Sequence, residues 1–188
     1  MGVILDIVFS FVIRAMIVLI VLTAMISLNN SLFRQTDRVA LNDFVRGAAE
    51  TIENDISLAG YGPSTPKEFT VADSIETEFS ADLNNDGMAE TVRYYLGSGA
   101  SGSHRILYRT LNSGADFEIA RDVILLRFTY YSATSASLSG TGISGVKSIK
   151  VQLTIESNHS LTSVYSGTSE TSIYQQATWE RQIFPDNL

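Results

Sequence analysis

The sequence has no cysteine among its 188 residues, which excludes disulfides and thiolate metal sites. This absence does not fix the compartment, because many exported domains also lack cysteine. Basic residues are few as well, 13 Lys and Arg against 20 Asp and Glu, so the formal net charge is −7. A nucleic-acid partner would require a basic patch, and we therefore expect no direct nucleic-acid binding.

Charges are nearly absent from the N-terminal 28 residues, where Asp6 and Arg14 are the only two. Residues 3–28 would form about 39 Å of helix, enough to cross a hydrocarbon core of roughly 30 Å. We therefore predict a membrane-spanning helix. A signal peptide is the alternative, but its basic leading segment and small-residue cleavage site are not clear here. Arg34 and Arg38 follow the apolar segment, so the positive-inside rule leaves the orientation open.

Proline is rare too, and none precedes Pro63. From Leu32 to Ile56, apolar residues recur at spacings of three to seven with polar residues between them. This pattern predicts that the apolar helix continues as an amphipathic one to about Gly60. Asn and Ser at residues 27–31 favour local backbone alternatives, so we expect a bend or a loosening there.

The remainder of the chain is rich in β-forming residues. Two runs, at 90–96 and 105–110, flank a Gly/Ser segment and predict a hairpin. Further strands are predicted at 68–74, 122–132, 146–157 and 172–184. In the third of these, Ile149, Val151, Leu153 and Ile155 alternate with period two and should share one face. Two Ser/Thr/Gly-rich stretches, 132–145 and 157–172, predict exposed loops.

Together these elements predict an α+β fold, in which a long N-terminal α-helix packs on an antiparallel β-sheet. Residues 1–28 form the membrane half of the helix and residues 29–60 the amphipathic half. Residues 61–188 form the globular β-sheet domain.

The order of these elements resembles the type IV pilin superfamily, specifically minor pilins and pseudopilins of the PilW and GspJ kind. The resemblance covers nearly the whole chain. The resemblance depends on the apolar helix with an acid near its start and on the segments "ENDISLAGYGP", "DLNNDGMAETVRYYL", "ILYRT", "DVILLRFTYY", "SIKVQLTIES" and "ERQIFPDNL".

The resemblance implies a non-catalytic subunit of a type IV pilus or of a type II secretion-like filament. It implies other pilin or pseudopilin subunits as partners through the N-terminal helix. It also implies a single-pass location in the bacterial inner membrane, with the C-terminal domain extracytoplasmic, or a place in an assembled filament.

In this superfamily a peptidase cuts after a Gly, the new N-terminus is methylated, and mature residue five is Glu. Gly2 is the matching residue, preceded here only by Met1. A cut after Gly2 would place Asp6 at position four, whereas loss of Met1 alone would place it at position five.

Asp6 and Arg14 are the residues that the resemblance and the membrane setting assign to assembly. The family's acid is thought to meet the N-terminal amine of a neighbouring subunit, and this pairing would offset the cost of a charge in apolar surroundings. Arg14 lies about two turns further on, roughly 12 Å away, too far for a bond to Asp6 in the same helix. It therefore needs a partner in another chain, or snorkels to the headgroups.

One polar stretch, "DLNNDGMAE", has the spacing of a cation-binding loop. Asp82, Asn84, Asp86 and Glu90 occupy EF-hand-like ligand positions around Gly87, so calcium is the one candidate cofactor. Arg93 replaces the bidentate acid at the last position. The alternative is a tight turn leading into a strand, with no metal.

No enzyme signature is present, and we expect no catalysis. His104 and His159 lie in turn or loop sequence without a nearby carboxylate, which predicts two exposed histidines. Trp179 and the cluster of Phe128, Tyr130 and Tyr131 fall on predicted strands and should pack in the core or on a face of the sheet, with surface recognition as the alternative. The alternative function is a single-pass anchored binding or sensor domain outside the cytoplasm that never polymerises.

Overall fold

The computed structural model describes residues 2–62, 68–101, 104–166 and 169–188. Within these ranges the side chains at 2–6, 100–101, 158–166 and 169–173 lie outside the description, and so does the side chain of His159. The chain divides into two compact units, Met1–Val39 and Ala40–Leu188.

A single α-helix, α1 (Gly2–Ser57), contributes to both units. It remains helical through residues 27–31, so the expected loosening is wrong. Asn and Ser each reduce helix stability by only a few tenths of a kcal/mol, and a long helix extends cooperatively past them. The helix ends three residues before Gly60, whose positive φ of 75° terminates the following turn.

The second unit contains one antiparallel sheet of nine strands in the order β7-β1-β2-β3-β4-β5-β8-β9, with β6 beside β5. The strands are β1 (Glu68–Ala72), β2 (Glu76–Ala81), β3 (Glu90–Ser101), β4 (His104–Leu111), β5 (Asp116–Ser132), β6 (Ser137–Leu138), β7 (Gly140–Ser144), β8 (Val146–Ser166) and β9 (Ser169–Ile183). The fold is therefore α+β, with a long apolar N-terminal helix and an antiparallel sheet.

The sheet curls so that its first strands approach the middle of β5. The backbone N–H of Phe128 donates to the carbonyl of Ser74 at 2.8 Å, and the Phe69 and Tyr130 rings lie 5.3 Å apart. This curl produces a concave face that the last turns of α1 fill. Helix residues Val45, Ala48, Ile52 and Ile56 belong to the same buried core as the inward side chains of the strands.

The period-two pattern on β8 is confirmed, because Ile149, Val151, Leu153 and Ile155 are all buried. The hairpin of β3 and β4 is also confirmed, with Tyr95 opposite Tyr108. Phe128 and Tyr130 are core residues as predicted, and Trp179 packs against the core while partly buried.

The two predicted long loops are wrong in part. Residues 132–145 contain β6 and β7, and most of residues 157–172 extends the β8–β9 hairpin. Ser and Thr are compatible with strands when a partner strand satisfies the backbone, so their composition alone did not identify loops. The sequence analysis also missed β2, whose Thr77, Phe79 and Ala81 point inward.

Candidate functional site

The first part of α1 is exposed and apolar. Its most apolar stretch of 18 residues has a mean hydropathy of 2.6, and none of these residues is buried. By length and composition, this helix could cross a membrane. Large apolar side chains cover it on all sides, with Phe11 72% exposed and Ile20 66% exposed. A helix that is apolar all round requires an apolar environment.

The three residues for which the sequence predicts a role in processing or assembly lie on this segment. Gly2 and Asp6 belong to α1, but the surroundings of Gly2 and the side chain of Asp6 lie outside the description. Arg14 is exposed and has no hydrogen bond or ion pair to any residue that the structure describes. The roles predicted for these three residues stay predictions.

The loop between β2 and β3 brings the four predicted calcium ligands together as a closed turn. The two carboxylate oxygens of Asp82 accept the backbone N–H groups of Asp86 and Gly87, at 3.1 and 2.9 Å. Glu90 Oε2 accepts the backbone N–H of Leu83 at 2.9 Å. These acids therefore satisfy backbone donors of the loop itself.

The same loop holds its shape through left-handed backbone positions at Asn85 and Gly87, with φ of 60° and 87°. Asn84 Oδ1 accepts the Asp86 N–H at 2.9 Å, and Asp82 is buried. Among the described residues no group of three or more acidic, His or Cys side chains is placed to hold a metal ion. Calcium binding by Asp82, Asn84, Asp86 and Glu90 stays a prediction.

Sequence reasoning missed a buried ionic cluster where α1 meets the sheet. Asp55, near the end of the helix, accepts the Tyr94 hydroxyl at 2.6 Å and the Arg109 Nε–H at 2.6 Å. A second Arg109 donor, Nη2, lies 3.2 Å from the other Asp55 oxygen. The fork geometry makes this a bidentate pair.

Burial shifts the titration of this cluster. Burial, together with the Asp55 carboxylate, raises the pKa of the Tyr94 hydroxyl well above its ordinary value. Burial alone would lower the pKa of Arg109, but the hydrogen bond and charge of Asp55 outweigh it and raise that pKa. The hydroxyl therefore stays protonated as a donor, and the pair fixes the position of residues 45–56 on the sheet.

The prediction of an exposed His104 is wrong, because its imidazole Nε2 lies 2.7 Å from Oε2 of Glu156 and is partly buried. Glu156 also accepts the side-chain amide of Gln176 at 2.8 Å. The amide, followed by His104, lowers the pKa of the Glu156 carboxyl. The carboxylate lies 52 residues from its histidine, so sequence proximity gave no signal of this pair.

The outer face of the sheet carries a polar and aromatic row. Arg93 lies 4.7 Å above the ring of Tyr95, which stacks on Tyr108 at 5.6 Å. Glu76 accepts the Arg93 Nε–H at 2.8 Å. Tyr94 is buried and Tyr95 is partly exposed, because successive residues of a strand face opposite sides of the sheet, and the contacts of Arg93 with Glu76 and Tyr95 stabilise the sheet surface.

One open cavity of about 370 Å³ lies beside the β5–β6 hairpin. Its lining combines Asp73, Ser74, Arg127 and the buried Tyr130. The cavity is of ligand size, and its charges have both signs.

The C-terminal residues close the end of α1. A Cβ at Gly60 would lie 2.8 Å from the side chain of Leu188 and 3.1 Å from the carbonyl of Asn187. Gly60 is therefore required both for its positive φ and for this close approach. Pro185 is buried in the same segment, whereas Phe184 is exposed.

Comparison of the chain with models of protein families, with curated proteins and with solved structures finds no match.

Proposed function

We propose that this chain is a non-catalytic structural subunit of a pilin-like filament, a minor pilin or pseudopilin of a type IV pilus or type II secretion-like system. Before assembly its N-terminal helix spans a membrane, with the sheet domain outside the cytoplasm. In the filament the same helix packs against the helices of other subunits.

The observation that carries this proposal is that two parts of one uninterrupted helix have different environments. Its first part presents exposed apolar side chains on all sides, and residues 45–56 form part of the core of the sheet domain. A simple anchor needs no continuous connection between the two parts. A continuous helix joins the apolar segment to the domain without an intervening loop, which suits a subunit whose helix packs among others in a filament.

The charges of the helix support the same proposal. An ionisable residue in a membrane span costs several kcal/mol and normally has a partner or a function. Asp6 and Arg14 have no function in a simple anchor. In an assembly of helices they acquire partners of opposite charge.

The test is the intact mass and N-terminal fragmentation of the full chain extracted from its native membrane. We expect a new, methylated N-terminus that places Asp6 at or next to position five. A chain that retains Met1 without processing would contradict the proposal of a pilin-like subunit.

A companion experiment measures co-purification with other subunits. Asp6→Ala should leave membrane insertion, measured by carbonate extraction, unchanged and should abolish co-purification. The matched control is Ser10→Ala, which truncates a polar side chain on the same segment without removing a charge. Unchanged co-purification of the Asp6 variant would contradict the proposal.

The cavity beside β6 favours a second candidate function, an anchored binding or sensor domain. Its Arg127 and Asp73 could hold a small ligand that carries both charges. Replacement of Arg127 by Gln would then abolish ligand-dependent stabilisation of the domain, and the natural chain would not co-purify with other subunits.

A further inference from the structure

The cavity beside β6 lies at a gap in the sheet, where β5 loses its neighbouring strand. In the described part of the chain, β4 pairs with β5 up to Val123, and β6 pairs with it at Tyr130 and Tyr131. After Leu138 the chain leaves β5 and pairs with β1 as β7. A short stretch of β5 that includes Phe128 therefore has no neighbouring strand on this side among the described residues.

One backbone acceptor of this stretch has no donor in the described chain. The N–H of Phe128 donates across the gap to the carbonyl of Ser74 at 2.8 Å. In an antiparallel strand the N–H and the C=O of one residue point to the same side, so the Phe128 carbonyl faces the gap as well. No backbone N–H of the described residues donates to it on this side. Because Phe128 is buried, a ligand that donates a hydrogen bond here would pair a group that is costly to leave unpaired.

Two opposite charges line the same cavity without forming an ion pair. Asp73 and Arg127 are both exposed lining residues. Arg127 makes no hydrogen bond or ion pair with any residue that the structure describes. Asp73 uses Oδ1 to accept the backbone N–H of Ser74, and its Oδ2 has no donor among the described residues. A ligand with both charges could therefore pair with each of them.

The cavity has the size and lining of a site for a small polar molecule. Its volume of 370 Å³ equals that of about twelve water molecules. Phe128 and Tyr130 are buried lining residues, whereas Ser74, Ser137 and Ser139 are exposed ones that carry hydroxyl groups. An apolar base with a few polar groups around it is typical of ligand sites.

We propose that this cavity binds a free α-amino acid. The Arg127 guanidinium binds the carboxylate, for which its fork of donors is suited. The ammonium group has three donors and gives them to the Phe128 carbonyl and to Oδ2 of Asp73. The inference deepens the second candidate function, on which it rests, by naming the class of ligand.

Ligands of related chemistry satisfy fewer of these groups. A carboxylate without an amine would leave the Phe128 carbonyl unpaired and would meet the like charge of Asp73. An amine without a carboxylate would leave Arg127 unpaired and near a like charge. A trimethylated amino acid keeps both charges but has no N–H to donate. The α-amino acid supplies both charges and the donors within a few atoms.

The experiment is isothermal titration calorimetry of the full chain in detergent, with the standard L-amino acids as probes at millimolar concentration. We expect at least one of them to bind at one site per chain. Three analogues of that amino acid are then compared: the amine without the carboxylate, the acid without the amine, and the N-trimethyl derivative. Each should bind at least about tenfold more weakly, because each loses a charge-assisted contact.

Two charge variants test the residues. Arg127→Gln and Asp73→Asn should each weaken binding by about tenfold or more. Asn keeps the oxygen that accepts the Ser74 N–H, so the turn between β1 and β2 should persist. The matched controls are Arg105→Gln and Asp43→Asn, which remove the same charges at exposed positions outside the cavity lining. Both controls should bind like the natural chain.

A variant without a change of charge tests the cavity itself. Ser139→Trp places a large side chain at an exposed lining position and should abolish binding. Thermal melting by circular dichroism accompanies each titration. All variants should melt like the natural chain, so that a loss of binding reports the site and not the fold.

Binding of no amino acid to the natural chain would overturn the inference. Equal affinity for the N-trimethyl derivative or for either singly charged analogue would also overturn it, while leaving the second candidate function with a different ligand. Losses in the two control variants as large as those in the Arg127 and Asp73 variants would place the ligand elsewhere and overturn it too. A chain that binds an amino acid as expected and also co-purifies with other subunits would confirm the inference and contradict only the view that the chain never polymerises.

Discussion

Two charged side chains on the same helix differ in where their partner lies. Asp55 is buried and binds Tyr94 and Arg109 of the sheet within 2.6 Å. Arg14 is exposed and has no partner in the part of the chain that the structure describes. The difference shows that the end of the helix is part of the core of the domain, whereas its first part is exposed, apolar and long enough to cross a membrane.

The apolar residues show the same contrast. Ile52 is fully buried in the core, whereas Ile17 is 55% exposed. Burial of an Ile side chain contributes about 1.5–3 kcal/mol to stability only where the chain itself removes the side chain from water. The domain should therefore be sensitive to changes at one end of the helix and insensitive at the other.

The largest effect is expected at the buried ionic cluster. Asp55→Ala should lower the free energy of unfolding by about 3–5 kcal/mol, because it leaves the partly buried Arg109 guanidinium uncompensated and the buried Tyr94 hydroxyl without its acceptor. The measurement is chemical denaturation of the full chain in detergent, followed by the fluorescence of Trp179. The control is Glu53→Gln, which removes an ion pair with Arg181 whose arginine is 57% exposed and should cost less than about 1 kcal/mol. Equal losses of unfolding free energy in the two variants would show that the Asp55 cluster stabilises the domain no more than an exposed ion pair does.

A second effect separates the two ends of the helix by packing alone. Ile52→Ala should lower the free energy of unfolding by about 2–5 kcal/mol, since it leaves a cavity in the core. Ile17→Ala makes the same chemical change on the exposed segment and should leave the unfolding of the sheet domain unchanged. A comparable loss from both would show that the stability of the domain depends on the exposed apolar segment of α1.

The features that sequence analysis could predict are those that repeat locally. The alternation of Ile149, Val151, Leu153 and Ile155 identifies a strand and its buried face without knowledge of its partners, and all four are buried. The long helix is predicted for the same reason. In β2 the alternation of Thr77, Phe79 and Ala81 carries this signal as well, and the polar residues between them, Glu78 and Ser80, obscured it.

The features that sequence analysis missed depend on distant residues. Asp55 lies 39 residues from Tyr94 and 54 from Arg109, and its place in an amphipathic helix gave no sign of burial. The Ser/Thr stretch of 157–172 has loop composition, but pairing between β8 and β9 satisfies its backbone. Such contacts are set by the topology of the sheet, which local patterns do not determine.

A smaller effect tests the loop between β2 and β3. Asp82→Ala should lower the free energy of unfolding by about 1–3 kcal/mol, because the N–H of Gly87 loses its acceptor and the N–H of Asp86 keeps only Asn84. If the loop is a turn alone, millimolar calcium should leave the melting temperature of the natural chain unchanged. A rise on addition of calcium that Asp82→Ala abolishes would instead establish a calcium site.

The smallest expected effect concerns pH. The pKa of the Glu156 carboxyl is lowered from its ordinary value near 4.5, so its contribution to stability is complete above that value. This contribution is lost as the pH falls through the lower pKa of the folded state. Glu156→Gln should therefore reduce the difference in the free energy of unfolding between about pH 6 and about pH 3 by less than about 1 kcal/mol.

The control for this prediction is Glu78→Gln, which removes the same formal charge from β2 and leaves the His104–Glu156 pair intact. Denaturation of both variants at each pH gives the comparison. If Glu78→Gln flattens the pH dependence as much as Glu156→Gln, the effect arises from net charge alone. If only Glu156→Gln does so, the bonds to Gln176 and His104 hold the β8–β9 hairpin to the end of β4 through an ionised carboxylate, a contact that weakens in acid.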